Sequence, residues 1–128
     1  MSEHLVLAAA EGDPTLVAQL LKGGAHVNGI NVYGATALHV AVYYEHLHVI
    51  LLLVDRGANV NSIDKDGDTP LHYAGYGNCD PGIMRYLCAR GASKELKNND
   101  GEIPQIVELT GFRFTGRLMQ DANAGFIN

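Results

Sequence analysis

The chain has 128 residues, which is room for one compact domain or for a short array of stacked repeat units. Its formal charge of −5 and its scattered lysines and arginines argue against nucleic-acid binding, which requires clustered cations. The longest apolar runs, such as residues 49–54, are far shorter than the roughly 20 residues that span a bilayer. The first residues lack the basic and apolar regions of a secretory signal, so we predict neither a signal peptide nor a membrane segment.

The first predicted unit, residues 4–30, contains two apolar helices. A Gly-Asp-Pro sequence at residues 12–14 separates them, because aspartate caps a helix N-terminus and proline suits the first helical position. We expect Gly24 to end the second helix in a left-handed conformation, which glycine adopts at little cost.

The second predicted unit, residues 31–63, begins with a tight turn closed by Gly34. Thr36 follows and is predicted to cap the first helix by accepting hydrogen bonds from backbone amides. A second helix carries several consecutive apolar residues and is expected to end at Gly57.

The third predicted unit, residues 64–97, repeats this order with Thr69 as the cap. It is one residue longer than the second unit, and we place the extra residue in the segment 75–80. That segment ends in Asp80, followed by a proline, so we predict a second capped helix there.

The remaining residues are predicted to form a decayed fourth unit that caps the stack, residues 98–119. Ile103 and Ile106 stand where the earlier units have threonine and histidine. Terminal repeats shield the apolar stack on one side only, so their pattern relaxes. We predict a final short helix at 112–119 and a loose tail at 120–128, all within one domain covering residues 1–128.

The same residues recur along the chain at a spacing of 33, which is the signature of a repeat protein. Segment 34–41 reads Gly-Ala-Thr-Ala-Leu-His-Val-Ala, and segment 67–74 reads Gly-Asp-Thr-Pro-Leu-His-Tyr-Ala. A Gly-Ala pair follows the second helix of each of the three units. These motifs resemble the ankyrin repeat over roughly residues 4–110. The resemblance implies an all-α solenoid of stacked helix–turn–helix units joined by β-hairpin turns.

Histidine is the residue type here that enzymes and metal sites use most. The resemblance implies that His39 and His72 instead hydrogen-bond a threonine and nearby turn backbone. His46 and His48 are two residues apart, on different faces of a helix, and fit neither common zinc spacing. The aspartates at residues 64–68 are expected at a solvated turn, where they make poor general acids or bases. With no serine elbow or phosphate loop present, we predict no catalytic residue, metal or cofactor, and no enzymatic activity.

Partner binding is predicted on a concave strip of turn tips and first helices, the surface that ankyrin repeats generally use. Tyrosine gives rigid contact area with a polar tip, and acidic residues beside it favour a partner with basic and apolar groups. The alternatives are tyrosines that only cover neighbouring helices and acids that are only solvated. The predicted partner-binding residues are Val32, Tyr33, Tyr43, Tyr44, Lys65, Asp66, Asp68 and Tyr76.

The opposite, convex side offers a rival surface. Leu51 and Leu52 occupy positions that are usually polar or mixed in the family, so they could form a second contact, a self-association site or a buried pair.

The sequence favours a monomeric module that binds a protein partner as an adaptor, scaffold or inhibitor. It could also be a recognition fragment of a larger protein or an effector that acts inside a host cell. The two cysteines, Cys79 and Cys88, cannot make a disulfide framework, and reduced thiols predict a cytoplasmic or nuclear location.

Overall fold

A computed structural model describes residues 2–107 and 113–114, with side chains described for residues 2–106. This part of the chain contains six α-helices and one two-stranded antiparallel sheet. In chain order the elements are α1 (Ser2–Glu11), α2 (Pro14–Lys22), α3 (Ala37–Tyr43), α4 (Leu47–Asp55), α5 (Pro70–Tyr76), α6 (Pro81–Ala89), β1 (Ile106–Val107) and β2 (Arg113–Phe114).

The helices form two rows. The first helices of the units, α1, α3 and α5, pack against one another in that order, and each also packs against the second helix of its own unit. Alanines on the first helices, such as Ala9, Ala41 and Ala74, are fully buried, and their small side chains let neighbouring helices approach closely. A single continuous apolar core therefore runs through all three units. The predicted solenoid of stacked helix pairs is confirmed.

The predicted helix caps are confirmed in all three units. The side chains of Thr36 and Thr69 accept hydrogen bonds from the backbone amides of His39 and His72, at 3.3 Å in both units. Each histidine Nδ1 accepts in return from the backbone amide of its threonine, at 3.1 and 3.0 Å. Asp13 caps α2 in the same way by accepting from the amide of Leu16. These local bonds satisfy amides that would otherwise lack a partner at the helix start.

The second helices end as predicted at left-handed glycines. Gly24, Gly57 and Gly91 have φ angles of 106°, 94° and 101°. Beyond each of the first two glycines, an asparagine side chain reaches into the following unit. Asn28 donates to the carbonyl oxygen of Gly57, and Asn61 donates to the carbonyl oxygen of Gly91. These asparagines therefore tie neighbouring units together on the side of the helix ends.

The connecting turns are built alike in three places. The side-chain oxygen of Asn31, Asp64 or Asn98 accepts from the backbone amides two and four residues later, at 2.9–3.0 Å. Two backbone hydrogen bonds then close each turn. Gly34 and Gly67 occupy the left-handed position that these turns require, with φ angles of 80° and 79°. The predicted β-hairpin turns are therefore short: one isolated bridge, Ile30 with Thr36, is their only strand pairing within the described residues.

The extra residue of the third unit is Asp80. The backbone bond from the amide of His46 to the carbonyl oxygen of Ala41 has its counterpart, one unit later, in the bond from Cys79 to Ala74. Helix α4 begins directly after His46, whereas α6 begins after one further residue, Asp80. Asp80 accepts from the amide of Gly82, while His46 makes no side-chain cap. The insertion thus lies in the predicted segment and supplies a cap that the second unit lacks.

In its described residues, 98–107 and 113–114, the fourth unit does not form the helix that would complete a repeat. Its turn at residues 98–101 forms, but residues 106–107 belong to strand β1, which packs against α5 and α6. Ile103, at the cap position, has no side-chain acceptor for the amides of a helix start, and β-branched residues favour a strand. Strand β2 covers residues 113–114, so the predicted helix at 112–119 is wrong there. Residues 115–119 and the tail at 120–128 lie outside the described residues.

Candidate functional site

Four tyrosines form a continuous exposed surface on the first helices of the second and third units. The ring centroids of Tyr43 and Tyr44 are 5.0 Å apart at an interplanar angle of 87°. Tyr73 links this pair to the next unit, with centroids 6.4 Å from Tyr43 and 6.1 Å from Tyr76. Edge and tilted contacts of this kind hold aromatic rings in place and leave their outer faces free. We call Tyr43, Tyr44, Tyr73 and Tyr76 the tyrosine cluster.

The cluster remains open to solvent although its rings touch. Tyr43 is 41% exposed, Tyr44 54% and Tyr76 53%, while Tyr73 is half-buried between them. Exposed aromatic rings fixed by their neighbours give contact area that costs little conformational entropy on binding. Three predicted site residues thus lie together on one surface.

Sequence reasoning missed Tyr73, the tyrosine at the centre of the cluster. Its hydroxyl donates to Asp64 Oδ2 at 2.6 Å. Burial, followed by this bond to the carboxylate, raises the pKa of Tyr73 well above its ordinary value of 10. The sequence did carry a sign of it, because the residue at this repeat position differs from unit to unit. Tyr73 stands where the second unit has Val40 and the first has Leu7.

Asp68, one of the predicted partner-binding residues, does not lie on the exposed surface. Its side chain is only 7% exposed. One carboxylate oxygen accepts from the hydroxyl of Tyr76 at 2.8 Å and from the side-chain amide of Asn98 at 2.9 Å. Asp68 therefore joins the third unit to the following turn and orients Tyr76. Because Asp68 is buried, it can affect a bound partner only through the ring of Tyr76. Burial, followed by the bond to Asp68, raises the pKa of Tyr76 above its ordinary value.

The other predicted residues lie at turn tips. Val32, Tyr33, Lys65 and Asp66 are all exposed. The two tips touch, since the backbone amide of Lys65 donates to the carbonyl oxygen of Tyr33. Among the described residues, no ring contact joins Tyr33 to the tyrosine cluster, so the tips form a separate part of the same strip.

The three aspartates at residues 64–68 bring carboxylate oxygens within 4.8 Å of one another. The expectation that all three are solvated is wrong, because Asp64 and Asp68 are buried and only Asp66 is exposed. Asp64 accepts from two backbone amides and from Tyr73. No buried side-chain polar atom among the described residues lacks a hydrogen-bond partner. The buried carboxylates thus serve the protein's own donors.

The two histidines of the repeat motif, His39 and His72, hold neighbouring units together. Each Nε2 donates to a carbonyl oxygen of the following unit, Asp68 for His39 and Glu102 for His72, at 2.8 Å in both cases. Burial lowers the pKa of His39 below its ordinary value of 6.5, although Asp64 and Asp68 oppose the effect. The neutral imidazole that this geometry needs is thereby favoured.

On the second helices, the two leucines of the rival surface differ. Leu51 is 38% exposed, whereas Leu52 is half-buried and packs against the core. Leu52 also lines an open groove between α2 and α4.

Stacked helix pairs with repeated caps and turns define a helical-repeat protein. Residues 5–98 match the family described as Ankyrin repeats (3 copies). The chain therefore belongs to the ankyrin-repeat family. A search among curated proteins gives no match to it. Ankyrin repeats are generally protein–protein interaction modules, and the family is typically non-enzymatic. None of the helices in the described part is long and apolar enough to cross a membrane.

Proposed function

We propose that this protein is an interaction module that binds a partner protein through the tyrosine cluster and the adjacent turn tips. The observation that carries this proposal is the cluster itself, in which the half-buried Tyr73 links the exposed pair Tyr43 and Tyr44 of one unit to the exposed Tyr76 of the next. Large exposed aromatic groups in a fixed arrangement are the usual anchors of protein interfaces. Binding alone would make the protein an adaptor, a scaffold or an inhibitor, without metal, cofactor or catalysis.

The chemistry around the cluster favours a partner that presents arginine beside apolar side chains. Tyr73 and Tyr76 both donate their hydroxyl protons to carboxylates, which makes their rings more electron-rich. A guanidinium lying over such a ring gains cation–π energy of roughly 0.5–2 kcal/mol, depending on how far it is desolvated. The exposed Asp66 and Glu102 lie on the same side and are near enough to affect the pKa values of Tyr73 and Tyr76. Exposed carboxylates here would attract a basic partner from a distance.

The remaining features of the proposal follow from the composition. The protein acts as a monomer in a reducing cytoplasmic or nuclear compartment and does not bind nucleic acid or membranes. The same surface would serve equally in a stand-alone protein, in the recognition part of a longer chain or in an effector inside a host cell.

Affinity capture with matched variants tests the proposal. The first variant is Tyr43→Ala plus Tyr44→Ala, and the second is Leu47→Ser plus Leu51→Ser, which removes two exposed leucines from α4. For a captured partner, we expect the tyrosine pair to weaken binding by roughly thirtyfold or more, the effect of about 2 kcal/mol at an anchor. The leucine pair should leave the affinity within about threefold.

Thermal unfolding of both variants separates binding from stability. Since Tyr43 and Tyr44 are largely exposed, their replacement should change the free energy of unfolding by about 1 kcal/mol or less. If the leucine pair abolished capture while the tyrosine pair bound normally, the second-helix side would be the binding surface and this proposal would fail.

A further inference from the structure

A groove lies on the side of the molecule opposite the first helices, between α2 and α4. Its volume is about 670 Å³. Ala18 and Leu52 give it an apolar floor, with Pro14 at one end. Lys22, His48 and Arg56 also line it, and none of the described lining residues is acidic. The groove is separate from the tyrosine cluster, since no residue belongs to both.

Comparison of equivalent positions shows why the depression is here. Ala18 of α2 corresponds to Leu51 of α4 and, after the one-residue insertion, to Arg85 of α6. The larger side chains project from the later helices, whereas the methyl group of Ala18 leaves space above Leu52. The small side chain of Ala18 is therefore one difference between this groove and the one between the next two helices.

The two grooves also differ in the charges of the residues that line them. Lys22 and Arg56 are both exposed, and neither makes an ion pair with any residue that the structure describes. At the equivalent positions of the next groove stand Asp55 and Arg90, one acid and one base. In a chain of net charge −5, the groove between α2 and α4 thus carries two cations with no ion-pair partner among the described residues, beside an apolar floor. This combination is complementary to an apolar side chain flanked by carboxylates.

We propose that the groove is a second docking site, which takes a short acidic segment of a partner protein. An apolar side chain of that segment lies over Ala18 and Leu52, and carboxylates beside it bind Lys22 and Arg56. The two faces of the protein then select opposite chemistry, basic at the tyrosine cluster and acidic at the groove. A protein of this kind can hold two different partners at once. The inference does not depend on the tyrosine cluster, and either surface can fail without the other.

Selection from a displayed library of random twelve-residue peptides tests the proposal. Peptides are selected on the wild-type protein, and those that still bind Tyr43→Ala plus Tyr44→Ala are kept. We expect the retained peptides to combine aspartate or glutamate with a large apolar residue. Their affinity should fall at least tenfold in Lys22→Glu plus Arg56→Glu, and should also decrease as salt concentration rises.

Two further variants test whether the peptides bind in the groove itself. Ala18→Leu places the residue of the next unit in the groove, fills it without changing any charge, and should weaken the same peptides at least tenfold. Arg85→Glu plus Arg90→Glu makes the same charge change on α6 and should leave the affinity within about twofold. Circular dichroism and thermal unfolding confirm that each variant is folded.

The proposal fails if no retained peptide is sensitive to both the charge reversal at residues 22 and 56 and the filling of the groove by Ala18→Leu. It also fails if the retained peptides are basic. Sedimentation equilibrium provides the last comparison. A wild-type dimer that Ala18→Leu converts to a monomer would identify a second copy of this chain as the occupant and overturn the assignment to an acidic partner.

Discussion

His39 Nε2 lies 2.8 Å from the carbonyl oxygen of Asp68, so one buried imidazole joins the second unit to the third. The same ring accepts from the amide of Thr36. Replacing His39 by alanine removes both bonds and leaves a cavity, and should lower the free energy of unfolding by about 2–4 kcal/mol. Chemical denaturation measures this. An unchanged denaturation midpoint would show that the inter-unit bond contributes little.

The same histidine should make stability depend on pH. Burial lowers the pKa of His39 in the folded state, so the unfolded chain binds the proton more strongly. Its contribution is then complete above the ordinary value of 6.5 and is lost as the pH falls below that value towards the folded-state pKa. From neutral to mildly acidic pH the wild type should lose more stability than His39→Gln, in which the group is absent. If both proteins lost the same stability over this pH range, the lowered pKa of His39 would be contradicted.

Gly57 provides a test of the backbone at the end of α4. A β-carbon added there meets nothing within 4 Å, so a side chain fits, but the φ angle of 94° is unfavourable for it. Gly57→Val should cost on the order of 1–3 kcal/mol. Gly57→Asn should cost less, because asparagine tolerates left-handed conformations better. Thermal unfolding compares the two, and equal stability of all three proteins would rule out the strain.

Tyr73 is expected to contribute through its hydroxyl as well as its ring. Tyr73→Phe removes the bond to Asp64 and should cost about 1 kcal/mol at neutral pH. Because the pKa of Tyr73 is raised in the folded state, its contribution is complete below pH 10 and is lost as the pH rises above it. The wild type should therefore lose stability more steeply than Tyr73→Phe above pH 10, measured by denaturant unfolding. Parallel curves would indicate an ordinary, solvated phenol.

Asp66 and Asp68 are two residues apart and should behave in opposite ways. Asp68→Ala removes the acceptor of Tyr76 and Asn98 and should cost about 2 kcal/mol of stability. Asp66→Ala removes an exposed side chain and should stay within about 0.5 kcal/mol. With a captured partner, Asp66→Ala should instead slow association and reduce its salt dependence. If Asp66→Ala destabilised the fold as much as Asp68→Ala, the assigned difference in burial would be wrong.

Structural features that depend only on residues close together in the sequence could be predicted from it. The threonine caps, the left-handed glycines and the turns each follow from a residue type at a fixed short spacing. The bond between Asp68 and Asn98 joins residues 30 positions apart, so a local pattern gave no sign that Asp68 is buried. Tyr73 was missed for a similar reason, since its contacts lie with Tyr43 and Tyr76 across units. The fourth unit keeps its turn residues but lacks a cap at Ile103, which predicts a decayed unit without indicating that a strand follows at Ile106–Val107.

The segment around β1 also covers the last first helix of the described stack. A β-carbon added at Gly75 would lie 2.6 Å from the carbonyl oxygen of Gln105, so the segment before β1 crosses α5 where that helix has no side chain. A fourth helix pair would need this same face of α5 to stack on. Because the segment already occupies it, no further helix pair stacks on this face of α5 within the described residues. A single glycine thus lets the segment before β1 cover the end of the described stack.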